Sequence, residues 1–429
     1  SWSEERVDTL VDWLVSPQGL NFRIFRYNIG GGEDPMNRNC TPHHMGKGKG
    51  LRAEMEGFKD STEDRWHWDR DEAQRKIMLK IKERRPDAIF EAFSTSAPYY
   101  MTFSGCCGGH KDAWKDNLRP ECYEEFAHYL VDVCKHYKEK YGIEFKTLDP
   151  FNEPNTNYWY AGGSQEGCHF DFSSQIAFLK VLHPILQASG LRTVISASDE
   201  TSVMTSVKGF QAYQQAGVLP LVGQWNTHTY EANDEARIQL SQLCREQKKH
   251  LWMSEVGAGG KGLDGNLKLA EKLIHDIRML RPAAWLDWQY IEDNNDQWCL
   301  VKGDFYGGTQ EFHKVKNYYV RQQFSRFIPQ GYQFIHSSEE STLAALSPQA
   351  DTLVIVSINR TEQAKNMQVD ISGVTRKGIR ARKAVAYRTS ETSNLDQIRK
   401  GIIMANKDKS LSYCIPARSI ITLVMPLRK

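Results

Sequence analysis

Thr147-Leu148-Asp149-Pro150-Phe151-Asn152-Glu153-Pro154 is the stretch on which the fold turns. A short strand-like run ends on an amide and an acid, and Pro154 stops it. A second run, His250-Leu251-Trp252-Met253-Ser254-Glu255-Val256-Gly257, closes in the same way on Glu255, with a glycine behind it to let the chain turn. Outward from these two, short β-branched or aromatic runs alternate with longer amphipathic stretches. Strands are expected at 22–30, 89–96, 147–152, 193–198, 223–230, 251–255 and 284–291, and helices at 4–15, 71–84, 122–141, 172–189, 233–248 and 266–280.

That rhythm belongs to the α/β class, a parallel sheet covered by helices, and its closed form is the (β/α)8 TIM barrel. Seven strands are legible and the first element is a helix, so the first barrel strand is expected to be missing from this chain. Beyond 327–332 the pattern changes to short strands at 342–346, 352–358, 367–371, 381–388 and 419–424, which read as a β-sandwich. The expected domains are a catalytic barrel over 1–327 and a C-terminal β-sandwich over 328–429.

Composition narrows the function. With 429 residues, 55 basic and 53 acidic side chains and a net charge of +2, the charges are interspersed. No basic face is offered to nucleic acid, and no apolar run is long enough to span a bilayer. Eleven Trp, 18 Tyr and 18 Phe supply aromatic faces that stack on sugars as readily as they fill cores. Nine scattered cysteines leave the compartment open, and the sequon Asn359-Arg360-Thr361 carries little weight alone. Cys40 with His43 and His44, and Cys106-Cys107 with His110, lack the spacing of a closed metal site, and Gly30-Gly31-Gly32 lacks the Lys-Ser/Thr of a phosphate loop. No metal and no cofactor are expected.

In barrels the reactive groups gather at the C-terminal ends of the strands. Counted with a first strand ahead of Ser1, Glu153 and Glu255 end strands four and seven, which face each other across the mouth. Two carboxyls roughly 5 to 5.5 Å apart on either side of a glycosidic bond perform double displacement with retention. Glu255 is then the nucleophile and Glu153 the acid/base, its proton held by burial and by the neighbouring charge. His228 or Tyr230 can reach the nucleophile. Arg26, inside an apolar run, needs a buried carboxylate, with Glu255 the first candidate and another Asp or Glu the alternative. Trp285 or Trp288 could form the floor under a sugar ring.

At Asp149–Pro154, followed by Trp159 and Gln165-Glu166-Gly167-Cys168, the sequence resembles glycoside hydrolase family 30, in its endo-β-1,6-galactanase-like branch. The likeness continues through Phe25–Gly30, Ser94–Pro98, Ser254–Gly257, Tyr318-Tyr319 and Ile415–Ser419. The resemblance implies a retaining barrel hydrolase with a β-sandwich, Glu153 as acid/base and Glu255 as nucleophile. It further implies Asn152 on the sugar 2-hydroxyl, and Arg26, His228 or Tyr230, and Trp288 around the cleaved bond; Trp159 is also expected to bind substrate. A β-linked oligosaccharide or polysaccharide, β-1,6-galactan first, is the expected substrate. A polymer of that size implies a secreted, periplasmic or cell-surface protein, expected as a monomer.

Overall fold

A computed structural model of the chain describes residues 2–34, 36, 55–257, 261–293, 296–305, 308–375, 380–381, 384–398, 401–405 and 409–428. Cys40, His43 and His44 lie outside the described residues. The chain divides into two compact units, one of Arg23–Val256 with Met279–Leu286, the other of Ser1–Phe22, Gly257–Arg278 and Asp287–Lys429.

In chain order the elements up to residue 288 are α1 (Glu4–Val15), β1 (Ile24–Asn28), α2 (Glu72–Arg84), β2 (Ile89–Phe93), α3 (Tyr123–Tyr141), β3 (Thr147–Asp149), α4 (Phe172–Ala188), β4 (Val194–Ser202), α5 (Val203–Gln215), β5 (Val222–Glu231), α6 (Asp234–Glu246), β6 (His250–Gly257), α7 (Gly262–Met279) and β7 (Ala284–Trp288). The strands β1 to β7 join in sequential order, and the described pairings are parallel. This is the expected TIM-type barrel sheet with seven strands.

Local signals set the helix ends. Ser3 caps α1 by accepting from the Arg6 amide, with Glu4 and Glu5 in the first turn. Gly142, at φ 62°, closes α3 and returns its amide to Lys138 O. No described helix is long and apolar enough to cross a membrane.

Two expectations need correction. Helix α5 was not foreseen, because it starts directly where β4 stops, with Ser202 serving as both last strand residue and N-cap. Its buried face, Val203, Ser206, Val207, Phe210 and Tyr213, has helical spacing, but Gly209 and the small residues dilute the signal. The strand expected at 284–291 breaks at Trp288, where the Gln289 amide turns to Trp298 O (2.6 Å), and Ile291–Asp293 pairs instead with Val301–Gly303.

The barrel strands present two unlike faces. Towards the helices they are apolar: Trp225 on β5 packs against Phe210 (4.8 Å between ring centres) and Tyr213 (5.4 Å) of α5 and donates its indole N–H to Ser206 (2.9 Å). Towards the barrel axis they are polar. Buried Glu91 accepts from Thr147 (2.6 Å), Ser196 (3.1 Å), Gln224 (3.2 Å), Asn226 (3.0 Å) and Arg26 Nε (3.0 Å), so side chains of β1 to β5 converge on one carboxylate.

In the other unit, strands Gln333–Ile335, Thr342–Leu346, Thr352–Asn359, Ser419–Arg428, Val385–Ser390 and Asp396–Ile398 form one antiparallel sheet, and Lys365–Asp370, Ser410–Ile415 and Ile403–Ala405 another. Alternate residues Leu353, Ile355, Leu411, Tyr413, Ile421, Leu423 and Met425 share one core between them, the sandwich arrangement. Helix α8 (Lys316–Ser325) joins α1 to this sandwich. Tyr318 donates to Trp13 O (2.7 Å), Gln322 to Gln18 O (2.7 Å) and Gln323 to Thr389 (2.9 Å). Asn359 is buried and spends its amide on three backbone carbonyls, so the sequon serves a turn.

Trp225→Ala removes the largest fully buried side chain. A loss of about 3–5 kcal/mol is expected, read as a lowered urea midpoint by circular dichroism. An unchanged midpoint would contradict the packing described.

Candidate active site

Glu153 follows β3 and Glu255 lies on β6, and the structure brings them together with His228 of β5. One carboxylate oxygen from each acid and one imidazole nitrogen all lie within 4.8 Å of one another. Both glutamates are more than nine-tenths buried and His228 is fully buried.

The backbone that presents Glu153 is unusual. Glu153 has φ 49° and its neighbour across the sheet, Asp199, has φ 59°, both in the left-handed region that non-glycine residues avoid. The two are joined by the Glu153 amide, which donates to Asp199 O (2.9 Å). The Glu153 carbonyl in turn accepts from Thr156 Oγ1 (3.1 Å) and Trp159 Nε1 (3.0 Å). Gly167 lies flat against that indole: a Cβ there would sit 2.1 Å from the ring. The Gln165–Cys168 loop therefore clamps Trp159, and Trp159 holds the acid.

Side-chain contacts separate the two acids. Glu255 accepts from Arg26 Nη1 (3.2 Å) and from the Tyr230 hydroxyl (3.2 Å). Glu153 faces His228 Nδ1 through Oε1 (2.9 Å) and accepts from the Tyr158 hydroxyl on Oε2. His228 Nε2 lies 3.1 Å from Asp199 Oδ1, close enough for an ion pair though off the line of a good hydrogen bond. Asp199 also accepts from Arg26 Nη2 (2.6 Å) and Ser254 (2.5 Å).

Electrostatics follow from this packing. Burial pushes Glu255 up, to about 7; His228 and Arg26 pull it down, while Glu153 and Asp199 add to the rise. Burial also opposes charge on His228, but the Asp199 and Glu255 carboxylates and the hydrogen bond to Glu153 outweigh it and hold the imidazole well above its usual value. For Asp199 burial is outweighed by Arg26 first and His228 next, which keep its carboxyl well below the usual range.

The expected residues divide as follows. Arg26 does meet Glu255, and meets Glu91 and Asp199 as well. Tyr230 reaches Glu255, whereas His228 turns to Glu153 and stands 3.9 Å from Glu255. Asn152 is buried, and its side-chain oxygen has no hydrogen-bond partner among the described residues. Trp159, expected against substrate, is 3% exposed and lies beneath the acid instead. Trp288 ends β7 in the other compact unit. Asp199, Glu91 and Tyr158 were missed. Asp199 lies past the expected end of its strand, Glu91 looked like an ordinary strand residue, and Tyr158 sits in a loop.

The Glu153–His228–Glu255 group could also hold a cation by its donor types, as could Asp60, Asp64 and His67. The first is already neutralised by a protonated imidazole and a guanidinium, and in the second Arg70 forks onto Asp60 (2.6 and 2.8 Å).

A parallel barrel with two buried carboxyls closing on one point defines the class: an O-glycosyl hydrolase. Comparison with known proteins gives the family. The model of O-glycosyl hydrolase family 30 matches residues 8–217. An endo-β-1,6-galactanase of Hypocrea rufa is 32% identical over 353 residues, covering 80% of this chain and 70% of that protein. A conserved exported protein from Bacteroides fragilis superimposes with a TM-score of 0.81 at 19% identity, covering 99% of this chain and 94% of that one. The catalytic domain of a family 30 xylanase C from Talaromyces cellulolyticus follows at 0.73 and 18%, covering 99% and 93%. The chain belongs to glycoside hydrolase family 30.

Arg26→Met leaves Glu91, Asp199 and Glu255 without their shared cation. A destabilisation of about 3–5 kcal/mol is expected by chemical denaturation. Arg26→Lys, which keeps the charge and loses the fork, should cost less; equal losses would show that the planar fork, not the charge, is what matters.

Proposed function

We propose that the chain is a retaining hydrolase of β-1,6-linked galactan, the side chains of arabinogalactan, working by double displacement. The observation that carries this is the separation of the two acids: carboxylate oxygens of Glu153 and Glu255 within 4.8 Å leave no room for an inserted water, which favours a covalent glycosyl-enzyme. The galactan assignment is supported by the 32% identity to the Hypocrea rufa endo-β-1,6-galactanase.

The roles follow from the donors. Glu255 is held by a guanidinium that never gives up its proton, so it carries the negative charge and attacks the anomeric carbon. Glu153, with no guanidinium, takes the proton and gives it to the departing oxygen. Its conversion to carboxylate then lets it draw a proton from the water that releases the sugar. Asn152 turns its unsatisfied oxygen to a sugar hydroxyl, the 2-hydroxyl of the ring under attack. Tyr230 steadies Glu255, and His228 and Arg26 keep the pocket from accumulating charge.

We assign the barrel to 1–327 and the sandwich to 328–429, and we assign the protein to a secreted, periplasmic or cell-surface location, acting as a monomer. Cys106 is disulfide-bonded, which supports an oxidising compartment.

Incubation with β-1,6-galactan should release reducing ends with the β-configuration. Glu255→Ala should abolish turnover of every substrate. Glu153→Ala should lower galactan cleavage by about 10²- to 10⁴-fold and largely spare an aryl glycoside with a good leaving group. Equal losses on both substrates would contradict the roles, and binding without hydrolysis of any β-glycan would end the enzyme reading.

The working form holds one proton across the two carboxyls. With Glu255 pushed up to about 7, that proton is retained below this pH and lost above it, so kcat/KM should fall as pH rises through about 7. A profile still flat at about pH 9 would rule out this proton inventory.

A further inference from the structure

The two oxygens of Glu153 are not equivalent. Oε1 is 2.9 Å from His228 Nδ1, and the other ring nitrogen is 3.1 Å from Asp199. An imidazole placed between two carboxylates keeps a proton on each nitrogen, so Oε1 accepts an N–H and has no place for a proton of its own along that line. The acid proton is thereby restricted to Oε2. That oxygen faces the hydroxyl of Tyr158, which lies 2.5 Å from Thr201 Oγ1.

Tyr158 is more open to solvent than the other side chains that contact the two carboxyls, Arg26, His228 and Tyr230. It is 41% exposed, beside a glutamate that is 7% exposed. Its hydroxyl both donates and accepts, and in its contact with Thr201 either atom can be the donor. With Glu153 ionised the chain runs Thr201 to Tyr158 to Oε2. With the proton on Oε2 it runs the other way, from Glu153 through Tyr158 to Thr201. One hydroxyl pair therefore satisfies Glu153 in both of the states that double displacement requires.

We propose that Tyr158 is a positioning residue for the leaving-group side, its hydroxyl holding Oε2 of Glu153 in the resting enzyme and yielding that place to the glycosidic oxygen. The departing sugar then lies against the exposed phenol ring. This rests on the reading of Glu153 as the acid. In the first step the proton moves from Oε2 to the glycosidic oxygen, the bond from that oxygen to the anomeric carbon breaks with its electron pair going to the oxygen, and Glu255 bonds to the carbon. Oε2, now anionic, regains the Tyr158 hydroxyl as donor once the sugar leaves. In the second step water gives its proton to Oε2 and its oxygen to the carbon, and Glu255 departs as a carboxylate.

A tyrosine that merely braces a loop predicts different kinetics. Tyr158→Phe and Tyr158→Ala are compared on β-1,6-galacto-oligosaccharides and on an aryl β-1,6-galactobioside with a good leaving group, which has no sugar on the leaving side. His228 and Glu255, the other charged groups facing Glu153, are untouched in both variants. Tyr158→Phe should lose about tenfold in kcat/KM on the oligosaccharides, with the alkaline limb of the profile moved to higher pH because the charged carboxylate has lost a donor. On the aryl substrate it should stay within about twofold of the parent. Tyr158→Ala should in addition raise KM for the oligosaccharides alone. Equal losses on both substrates with an unmoved limb, or wild-type behaviour of both variants, would overturn the proposal. Should the parent cleave another β-glycan and not galactan, the galactan reading fails and the same comparison on that glycan decides Tyr158. A parent that cleaves nothing sinks both.

Discussion

Everything at the mouth of this barrel depends on one buried guanidinium. Arg26 places Nε on Glu91 of β2, Nη2 on Asp199 of β4 and Nη1 on Glu255 of β6. Each of these carboxylates would be prohibitively costly to bury alone, and each is tolerable because the same planar fork serves all three. Burial works against Arg26 itself, but Asp199, Glu91 and Glu255 more than restore its charge. The strands carrying these acids are thus cross-tied through the barrel axis, where a conventional barrel would pack branched apolar side chains. A polar interior is harder to satisfy, and in return it fixes orientation: the guanidinium can meet all three acids in one register only.

A second cation completes the balance from the opposite side. His228 stands between Asp199 and Glu153, so Asp199 touches both positive groups, Glu153 meets the imidazole, and Glu255 meets the guanidinium with the imidazole 3.9 Å away. Asp199 also supplies the backbone carbonyl that receives the Glu153 amide. The strained left-handed turns at 153 and 199 are therefore held by the same residue that organises the charges. Loss of the Asp199 carboxylate would leave His228 free to choose its protonation state, and with it the distinction between the oxygens of Glu153 would go.

Much of this was legible in the residues, and the rest was hidden for identifiable reasons. The barrel strands declare themselves by β-branched and aromatic runs, and helix α1 lies at Glu4–Val15, the span expected, because an N-cap serine, two acids and an amphipathic stretch all agree. Arg26 could be read as needing a carboxylate because a guanidinium in an apolar run has no other solution. Its further partners could not be read, since Glu91 sits in a five-residue strand, Ile89–Phe93, in which nothing marks the acid as central. Strand β4 hid Asp199 for a different reason. The strand was expected to end at 198, but it runs on to Ser202 with register shifts against β5, and such irregularity leaves no trace in hydrophobic period. Trp159 was rightly noticed but given the wrong neighbour: periodicity says nothing about a loop indole, and only the close approach of Gly167 reveals that the ring is enclosed.

The roles proposed for these two chemically identical side chains rest on a difference in their surroundings. Glu255 is met by donors with protons that stay put, the guanidinium of Arg26 and a Tyr230 hydroxyl whose own ionisation is suppressed by burial and by the Glu255 charge. Glu153 is met on one oxygen by an imidazolium and on the other by a hydroxyl that can turn around. A carboxyl surrounded by fixed donors is best used as a charge, and one with a reversible partner is best used as a carrier of protons. Exchanging the two residues' surroundings would exchange their chemistry, which is why strand order and register, more than the presence of two glutamates, make this pocket asymmetric.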